Sequence, residues 1–182
     1  MRLFVGLTGC AWVMLLATLG VSGAAQAQSV ASEYEIKAAF LLHFTDYVEW
    51  PHDARAESAP VVGICLLGED PFGAMLDELV AVRRANGRPV RVQRIGSADA
   101  ARSCHIVFVR HAQRAAEQRD LARLQDWPVL TVGDHEAFAA EGGVVAFRVE
   151  NDRVRLTINQ TAAERAGLRI SSRLLDLARV VQ

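Results

Sequence analysis

The chain has 182 residues, of which 51% are hydrophobic and 23% charged, and this length suits one domain of ordinary size rather than two. It carries 20 lysines and arginines against 21 aspartates and glutamates, a formal net charge of -1. This balance excludes the concentrated basic excess that is typical of nucleic-acid-binding proteins.

The first 27 residues predict a cleavable secretory signal. An apolar run from Leu3 to Val21 follows Arg2, and small residues lead to Ala25-Gln26-Ala27, which fits cleavage after Ala27. The alternative is an uncleaved membrane anchor, because the 19 residues of the run are enough to span a bilayer. We predict a cleaved signal over residues 1–27 and a single domain over residues 28–182.

Cysteine usage in the predicted mature domain suits an oxidising compartment. Cys10 lies in the signal, so that Cys65 and Cys104 remain as an even pair. A disulfide between them is favoured on compartment grounds, and two buried free thiols are the alternative. Loss of Arg2 leaves 19 basic against 21 acidic residues, and no second long apolar run follows, which predicts a soluble mature protein.

Residues 33–49 predict the first helix, which ends at Trp50-Pro51 because the residue before a proline avoids the helical region. Its apolar residues follow the spacing of one helical face, starting from Ile36. A second apolar stripe beside that face consists of Ala38, Leu41, Leu42 and Thr45. A helix with two apolar stripes is either enclosed in the core or offers one stripe to another chain.

The middle of the chain alternates apolar strands with amphipathic helices. Strands are predicted at residues 61–67, 89–94, 105–109 and 129–132, and helices at about 70–83, 112–126 and 134–142. Asp70 and Asp134 are predicted to cap the first and the last of these helices. The alternation predicts a mostly parallel sheet with helices on both faces.

The last 40 residues have a different pattern. Strands at 144–149 and 153–158 flank the turn-forming Glu150-Asn151-Asp152, which predicts an antiparallel hairpin. A short helix is predicted over 160–167, and a final helix has its inner face at Leu174, Leu177, Ala178 and Val181. The predicted fold is therefore an α/β three-layer sandwich with a mostly parallel sheet, helices on both faces and an antiparallel C-terminal hairpin.

Motifs that carry catalysis or cofactor binding are absent from the sequence. It contains no phosphate-binding glycine loop, no nucleophile elbow and no pair of histidines at metal-binding spacing, so no enzyme, cofactor or metal is predicted. Two loops match each other, because Gly68 to Asp70 and Gly133-Asp134 both follow a predicted strand. Ligands of open α/β sheets bind at such strand ends. Ordinary helix capping and small-ligand binding through Asp70 and Asp134 are the two interpretations.

Three arginines recur at every fourth position near the C-terminus, namely Arg165, Arg169 and Arg173. A continuous helix would place them on one face, but Gly167 and Ser171-Ser172 argue against such a helix. They are either solvated charges or guanidinium groups that bind carboxylates, and Arg165 and Arg169 are the two candidates for a ligand site.

Several stretches together resemble the YfiR/HmsC-like family. The resemblance starts at residues 35–42 with Phe44 and Val48 to Pro51, and it extends in order over nearly the whole mature chain. The further matching stretches are Ile64–Gly68, Asp70–Gly73, Cys104–Phe108, Pro128–Asp134, Phe138 with Gly142-Gly143, Asn159, Ala162-Ala163, Gly167-Leu168 and Ile170–Leu175.

This resemblance implies a non-enzymatic periplasmic protein of α/β fold. It further implies a repressor that binds the periplasmic sensory domain of a YfiN-like inner-membrane diguanylate cyclase and thereby keeps cyclic-di-GMP and biofilm formation low. A YfiB-like outer-membrane lipoprotein would relieve repression by sequestering the repressor. The resemblance also implies a homodimer, and the Cys65–Cys104 pair matches one family bridge by position, whereas a second family pair is absent here.

Partner contacts are predicted for three groups of residues. They are the second stripe of the first helix (Leu41, Leu42 and Thr45), the end of that helix (Tyr47 and Trp50) and the segment near the C-terminus (Ile170, Arg173 and Leu174).

The predicted strands create a difficulty for the cysteine bridge. Cys65 lies late in one strand and Cys104 immediately precedes another, so adjacent parallel strands in register would separate them by roughly 20 Å at about 3.3 Å per residue. A disulfide needs Cα atoms within about 7 Å. Either the register is shifted or the predicted strand limits are wrong.

Overall fold

A computed structural model describes residues 22–51 and 60–182 of the chain. The chain divides into two compact units, residues 1–32 and 33–182, and all the strands belong to the second. Residues 1–21 of the predicted signal lie outside the described part, and cleavage after Ala27 stays a prediction. Within that part no helix combines the length and apolar character that crossing a membrane requires.

The regular elements comprise five helices and ten strands within the described ranges. The helices are α1 (Ser22–Tyr47), α2 (Ala74–Ala81), α3 (Arg114–Leu124), α4 (Gln160–Arg165) and α5 (Ser172–Leu175). The strands are β1 (Val48–Glu49), β2 (Val62–Gly68), β3 (Arg84–Ala85), β4 (Arg88–Ile95), β5 (Ile106–Arg110), β6 (Leu130–Gly133), β7 (Val145–Glu150), β8 (Arg153–Asn159), β9 (Arg169–Ile170) and β10 (Ala178–Val181). Two short 3-10 helices cover Ala98–Ser103 and Glu136–Phe138.

Eight of the strands form one sheet in the order β10-β8-β7-β6-β5-β2-β4-β3. The strands β4, β2, β5, β6 and β7 run parallel to one another, whereas β3 pairs antiparallel with β4 and β8 returns antiparallel to β7. A separate two-stranded ribbon pairs β1 with β9 antiparallel. The mostly parallel sheet and its antiparallel C-terminal hairpin confirm the predicted α/β fold class.

Hydrophobic cores lie on both faces of the sheet, so the strands in its centre are buried on each side. Along β2, Ile64 and Leu66 face a core that also contains residues of α1, α2, α4 and α5. The alternate residues Cys65 and Leu67 face a second core with residues of α3 and the 3-10 helices. Three layers result, as the sequence predicts.

The end of the chain corrects one predicted element. The spacing of Leu174, Leu177, Ala178 and Val181 predicts a final helix, but α5 is a single turn that ends at Leu175 and the chain then forms β10. Strand β10 pairs in parallel with β8, from Ala178 opposite Leu156 to Val181 opposite Asn159. Pairing with a neighbouring strand thus overrides a helical spacing that extends over only two turns.

The hairpin between β7 and β8 has the predicted turn. Asn151 and Asp152 both have positive φ, 51° and 57°, as a two-residue hairpin turn of right-handed twist requires. Asparagine and aspartate tolerate this left-handed region better than most residues, which is why these two positions predict the turn correctly.

The structure contains the Cys65–Cys104 disulfide, with Cα atoms 5.9 Å apart, and a shifted register explains how the cysteines meet. Cys65 lies opposite Val107 in the β2–β5 pairing, so that it is three residues from the level of Cys104, about 10 Å along the strand. The chain before β5 closes the remaining distance by crossing the sheet face at Gly63. A Cβ at Gly63 would lie 3.1 Å from the Ser103 carbonyl oxygen and 3.4 Å from the Cys104 Cα, so the missing side chain makes room for this crossing.

Candidate functional site

The carboxyl ends of β2, β5 and β6 meet at one edge of the sheet, where a cleft of about 450 Å³ opens. We call it the carboxyl-edge cleft. Helix α1 contributes Tyr34 and Lys37 to its wall, β5 contributes Arg110, and the loop after β6 contributes Asp134 and His135. Charged side chains from segments that are far apart in sequence are therefore collected at the edge where open α/β sheets hold their ligands.

Asp134 is the centre of a hydrogen-bonded ion network in this cleft. Its Oδ2 accepts from the Tyr34 hydroxyl at 2.7 Å and from Arg110 Nη1 at 2.6 Å, and its Oδ1 accepts from Lys37 Nζ. Lys37 also donates to Glu33, and its side chain is only 3% exposed. Asp134 therefore does not cap a helix as predicted; it balances a buried ammonium group instead.

The network changes the acid–base properties of its members. Burial, together with the hydrogen bond to the Asp134 carboxylate, raises the pKa of Tyr34 to about 12. Burial alone would lower the pKa of Arg110, but Tyr34 and Asp134 outweigh it and the pKa is raised. Tyr34 therefore stays protonated at physiological pH and donates its hydroxyl hydrogen to the Asp134 carboxylate.

Asp70, the other predicted ligand residue, lies at the same edge but has its own partner. Its Oδ1 accepts from the backbone amides of Phe72 and Gly73 and so stabilises the turn that leads into α2. The helix begins at Ala74 with Gly73 as its N-cap residue, so the prediction that Asp70 caps it is wrong. Its Oδ2 accepts from Arg94 Nε at 2.9 Å. The same guanidinium binds Asp77, whose pKa it lowers by hydrogen bonding.

The glycine of the second loop has a packing role. A Cβ added at Gly133 would lie 2.1 Å from the nearest atom of the Phe138 ring, and a Cβ added at Gly143 would also lie 2.1 Å from an atom of that ring. Phe138 is fully buried, so the two glycines leave space for an aromatic side chain of the core rather than for a ligand. Small-ligand binding between the two loops stays a prediction. The cleft itself contains one unpaired buried polar atom among its described lining residues, because Arg148 Nε has no hydrogen-bond partner.

Arg165 and Arg169 lie at the opposite end of the sheet from Asp70 and Asp134. Arg169 is opposite Glu49 in the β1–β9 ribbon, and Trp50, directly after β1, donates from its indole to the His105 carbonyl at the start of β5. That is the amino end of the parallel strands. The structure therefore divides the four predicted ligand residues into two pairs, and Arg165, Arg169 and Arg173 belong to α4, β9 and α5 rather than to one helix.

The ribbon brings two of the predicted partner-binding segments together. Val48 is opposite Ile170, and the Ser171 amide donates to the Tyr47 carbonyl at 2.9 Å. We call the accessible part of this region the ribbon surface; it consists of Tyr47, Trp50, Arg169, Ile170 and Arg173. These residues are half-buried or exposed, so the surface combines apolar rings and two exposed guanidinium groups.

The other predicted partner contacts are covered. Leu41, Leu42, Thr45 and Leu174 are all buried in the core that α1 shares with the sheet, and the Thr45 hydroxyl donates to the Leu42 carbonyl. Of the two interpretations of the second stripe, the structure shows enclosure in the core. Contact of these four residues with a partner remains an untested prediction, and it requires movement of α1 or α5.

His105 is a buried histidine at the base of the ribbon. Its Nδ1 accepts from the Gly63 amide at 3.1 Å, which assigns the proton to Nε2, and Nε2 has no partner among the described residues. Burial, assisted by the positive charge of Arg88, lowers the pKa of His105 to about 4. The imidazole is therefore neutral in the folded protein.

We expect the free energy of unfolding to decrease as the pH falls from about 6.5 to about 4, by up to about 1.4 kcal/mol per pH unit. The unfolded chain binds a proton at His105 near pH 6.5, whereas the folded chain does so only near pH 4. Urea titrations of wild type and His105→Asn at several pH values measure this, because Asn keeps an acceptor for the Gly63 amide but does not titrate. The matched control is His43→Asn, whose side chain is 52% exposed. Equal slopes for wild type and His105→Asn would contradict the prediction.

A cluster that the sequence search missed lies beside the cleft. Glu117 of α3, His135 and Glu141 each offer one ligand atom, and these atoms lie within 4.8 Å of one another. His135 Nε2 is hydrogen-bonded to Glu117, and Arg114 contacts both His135 Nδ1 and Glu141. A search for histidine pairs on one helix could not find it, since its members come from a helix and a loop that follows another strand.

The family model described as YfiR/HmsC-like matches residues 34–179. No curated protein matches the chain at a significant level. Among solved structures, a conserved domain protein from Vibrio cholerae O1 biovar El Tor is similar with a TM-score of 0.50 and 12% identity, over 81% of this chain and 60% of that one. An ABC domain in complex with L-Trp from Streptococcus pneumoniae has a TM-score of 0.49 and 14% identity, and the similarity covers 66% of this chain and 55% of that one. The chain thus spans less than two thirds of these proteins' length.

Proposed function

Because the chain belongs to the YfiR/HmsC-like family, a family of periplasmic, non-enzymatic regulators, we propose that it represses an inner-membrane diguanylate cyclase by binding the periplasmic sensory domain of that enzyme. The match over residues 34–179, which is most of the compact unit, is the observation that carries the proposal. A YfiB-like lipoprotein of the outer membrane would relieve the repression, and the repressor would act as a homodimer.

The mechanism is a shift between two conformations of the sensory domain. A protein that binds one conformation more tightly increases the population of that conformation, and a repressor must prefer the inactive one. Binding therefore has to occur on an accessible surface with enough apolar area and specific charge to discriminate. The cyclase would respond by making less cyclic-di-GMP, and biofilm formation would stay low.

The ribbon surface meets these requirements better than the buried stripe of α1. Tyr47, Trp50 and Ile170 provide apolar area that is only partly covered, and interfaces are enriched in aromatic residues and arginine. The exposed Arg169 and Arg173 are suited to carboxylates of a partner, because a guanidinium donates two parallel hydrogen bonds to one carboxylate. We therefore assign cyclase binding to this surface.

Deletion of the gene in its source bacterium should raise cyclic-di-GMP several-fold, and the wild-type gene should restore the low level. Arg169→Ala/Arg173→Ala should fail to restore it. Alanine is preferable to glutamate, because glutamate at 169 would oppose Glu49 across the ribbon and disturb the fold. The matched control is Arg119→Ala/Arg123→Ala, two exposed arginines with the same spacing on α3.

Two readouts separate the binding surface from the regulatory role. Unchanged cyclic-di-GMP after deletion would overturn the proposed function altogether. If Arg169→Ala/Arg173→Ala represses as strongly as wild type, the regulatory function would stand, but the ribbon surface would not be the surface that binds the cyclase. Circular dichroism and thermal unfolding of each purified variant exclude loss of folding as the cause.

A further inference from the structure

The cluster formed by Glu117, His135 and Glu141 contains an internal cation. The guanidinium of Arg114 lies 2.9 Å from His135 Nδ1 and 2.5 Å from a carboxylate oxygen of Glu141. Arg114 and Glu117 both belong to the first turn of α3, and the other two residues belong to the segment between β6 and β7. Two separate elements therefore converge on one positive charge.

The contacts of His135 assign its tautomer. A guanidinium only donates hydrogen bonds, so Nδ1 of His135 must accept from Arg114 and the ring proton must lie on Nε2. Nε2 then donates to the Glu117 carboxylate, whose side chain is only 5% exposed. The imidazole is thus held by a buried carboxylate on one side and presents a lone pair on the other. Metal-binding histidines have this arrangement, in which an outer carboxylate orients the ring and raises its basicity.

The charges of the cluster do not balance with arginine alone. Glu117 and Glu141 carry two negative charges, and Arg114 supplies one positive charge to a histidine that is neutral. A divalent cation at the guanidinium position would balance both carboxylates. Arg114 is able to leave, since its side chain is 45% exposed and lies at the surface, whereas Glu117 is fixed in the protein interior.

We propose that this cluster binds a divalent transition-metal ion in place of the Arg114 guanidinium. His135 Nδ1 and the Glu141 carboxylate coordinate the ion, water completes the coordination, and Glu117 positions the imidazole through Nε2. Imidazole nitrogen with carboxylate oxygen is a ligand set suited to Zn²⁺ and its first-row neighbours rather than to Ca²⁺ or Mg²⁺. The site adjoins the carboxyl-edge cleft, because Glu117 and His135 also line that cleft.

Calorimetric titration of the purified protein, without a histidine tag, with Zn²⁺ tests the proposal. Wild type should bind one equivalent, and His135→Gln and Glu141→Gln should show no saturable binding. Glu117→Gln should bind about 10- to 100-fold more weakly, as expected when an outer carboxylate is lost. Arg114→Ala should bind several-fold more tightly, because it removes the competing cation.

The matched control is His111→Gln. His111 Nε2 lies 3.0 Å from Asp120 in a similar histidine–carboxylate pair, which has no third ligand among the residues that the structure describes. This variant should therefore bind Zn²⁺ as wild type does. With Co²⁺ as the probe, an absorption band that shifts in Glu117→Gln would show that Glu117 acts through the bound imidazole. Absence of saturable Zn²⁺ binding by wild type, or weaker binding by Arg114→Ala, would overturn the proposal. Both outcomes leave the proposed regulatory function untouched, since no partner takes part in the titration.

Discussion

Replacing both Cys65 and Cys104 with alanine lowers the free energy of unfolding by about 4 kcal/mol, the largest single effect we expect in this protein. The cross-link closes a loop with a sequence separation of 39 residues, and closing such a loop removes conformational entropy from the unfolded chain. It also connects the centre of the sheet at β2 to the segment that leads into β5. A loss of this size is a large part of the stability of an ordinary domain.

Urea unfolding of three samples measures this effect. Oxidised wild type is the reference, reduced wild type keeps the sulfur atoms and loses only the cross-link, and Cys65→Ala/Cys104→Ala loses both. The two altered samples should have similar stabilities, and reductant should leave the double variant unchanged. A loss of less than 1 kcal/mol on reduction of wild type would contradict the prediction.

Asp134→Ala lowers the free energy of unfolding by about 3 kcal/mol, because it leaves the buried Lys37 ammonium without one of its two carboxylates. Arg110 also loses its ion pair with Asp134 in this variant. It retains Glu69 and is partly exposed, so the loss of this ion pair costs much less stability than the unbalanced charge of Lys37. The cost arises from the uncompensated buried charge rather than from the worth of the ion pair itself.

A double-mutant cycle tests that explanation. Lys37→Met/Asp134→Ala should lose less stability than the sum of the two single variants, with a coupling energy of about 1–3 kcal/mol, because methionine removes the charge that alanine left unbalanced. Asp126→Ala, at an exposed aspartate after α3, is the control and should change stability by less than about 0.5 kcal/mol. Additive losses in the cycle would show that Lys37 and Asp134 act independently.

The main elements of the fold follow from local patterns. Continuous apolar runs such as residues 61–67 predict β2 nearly to its ends, because a strand buried on both faces needs apolar side chains at every position. The turn at Asn151 and Asp152 follows from the residues that tolerate positive φ. The C-terminal strand β10 could not be predicted, since four residues at the edge of a sheet acquire their structure from pairing with β8.

The candidate sites depend much more on tertiary structure. Asp70 and Asp134 can be selected from sequence because both follow a strand, and parallel strands end at one edge. Their partners could not be predicted, since Lys37 and Asp134 are 97 residues apart and a buried lysine has no sequence signature. The pairing of Tyr47 with Ser171 and the convergence of Glu117 with His135 have the same origin.

The sequence by itself determined the alternation of strands and helices, the hairpin turn, the family resemblance and the identity of the two cysteines that pair. These features depend on residue type and on spacing within a few positions, where side-chain periodicity and backbone preference act. Only the tertiary structure decided the register that brings Cys65 to Cys104, the burial of Leu41 and Leu42, and the charges that surround Asp134 and His135. Those features depend on which segments, far apart in the sequence, come to lie at the same edge of the sheet. Local patterns carry no information about which segments these are.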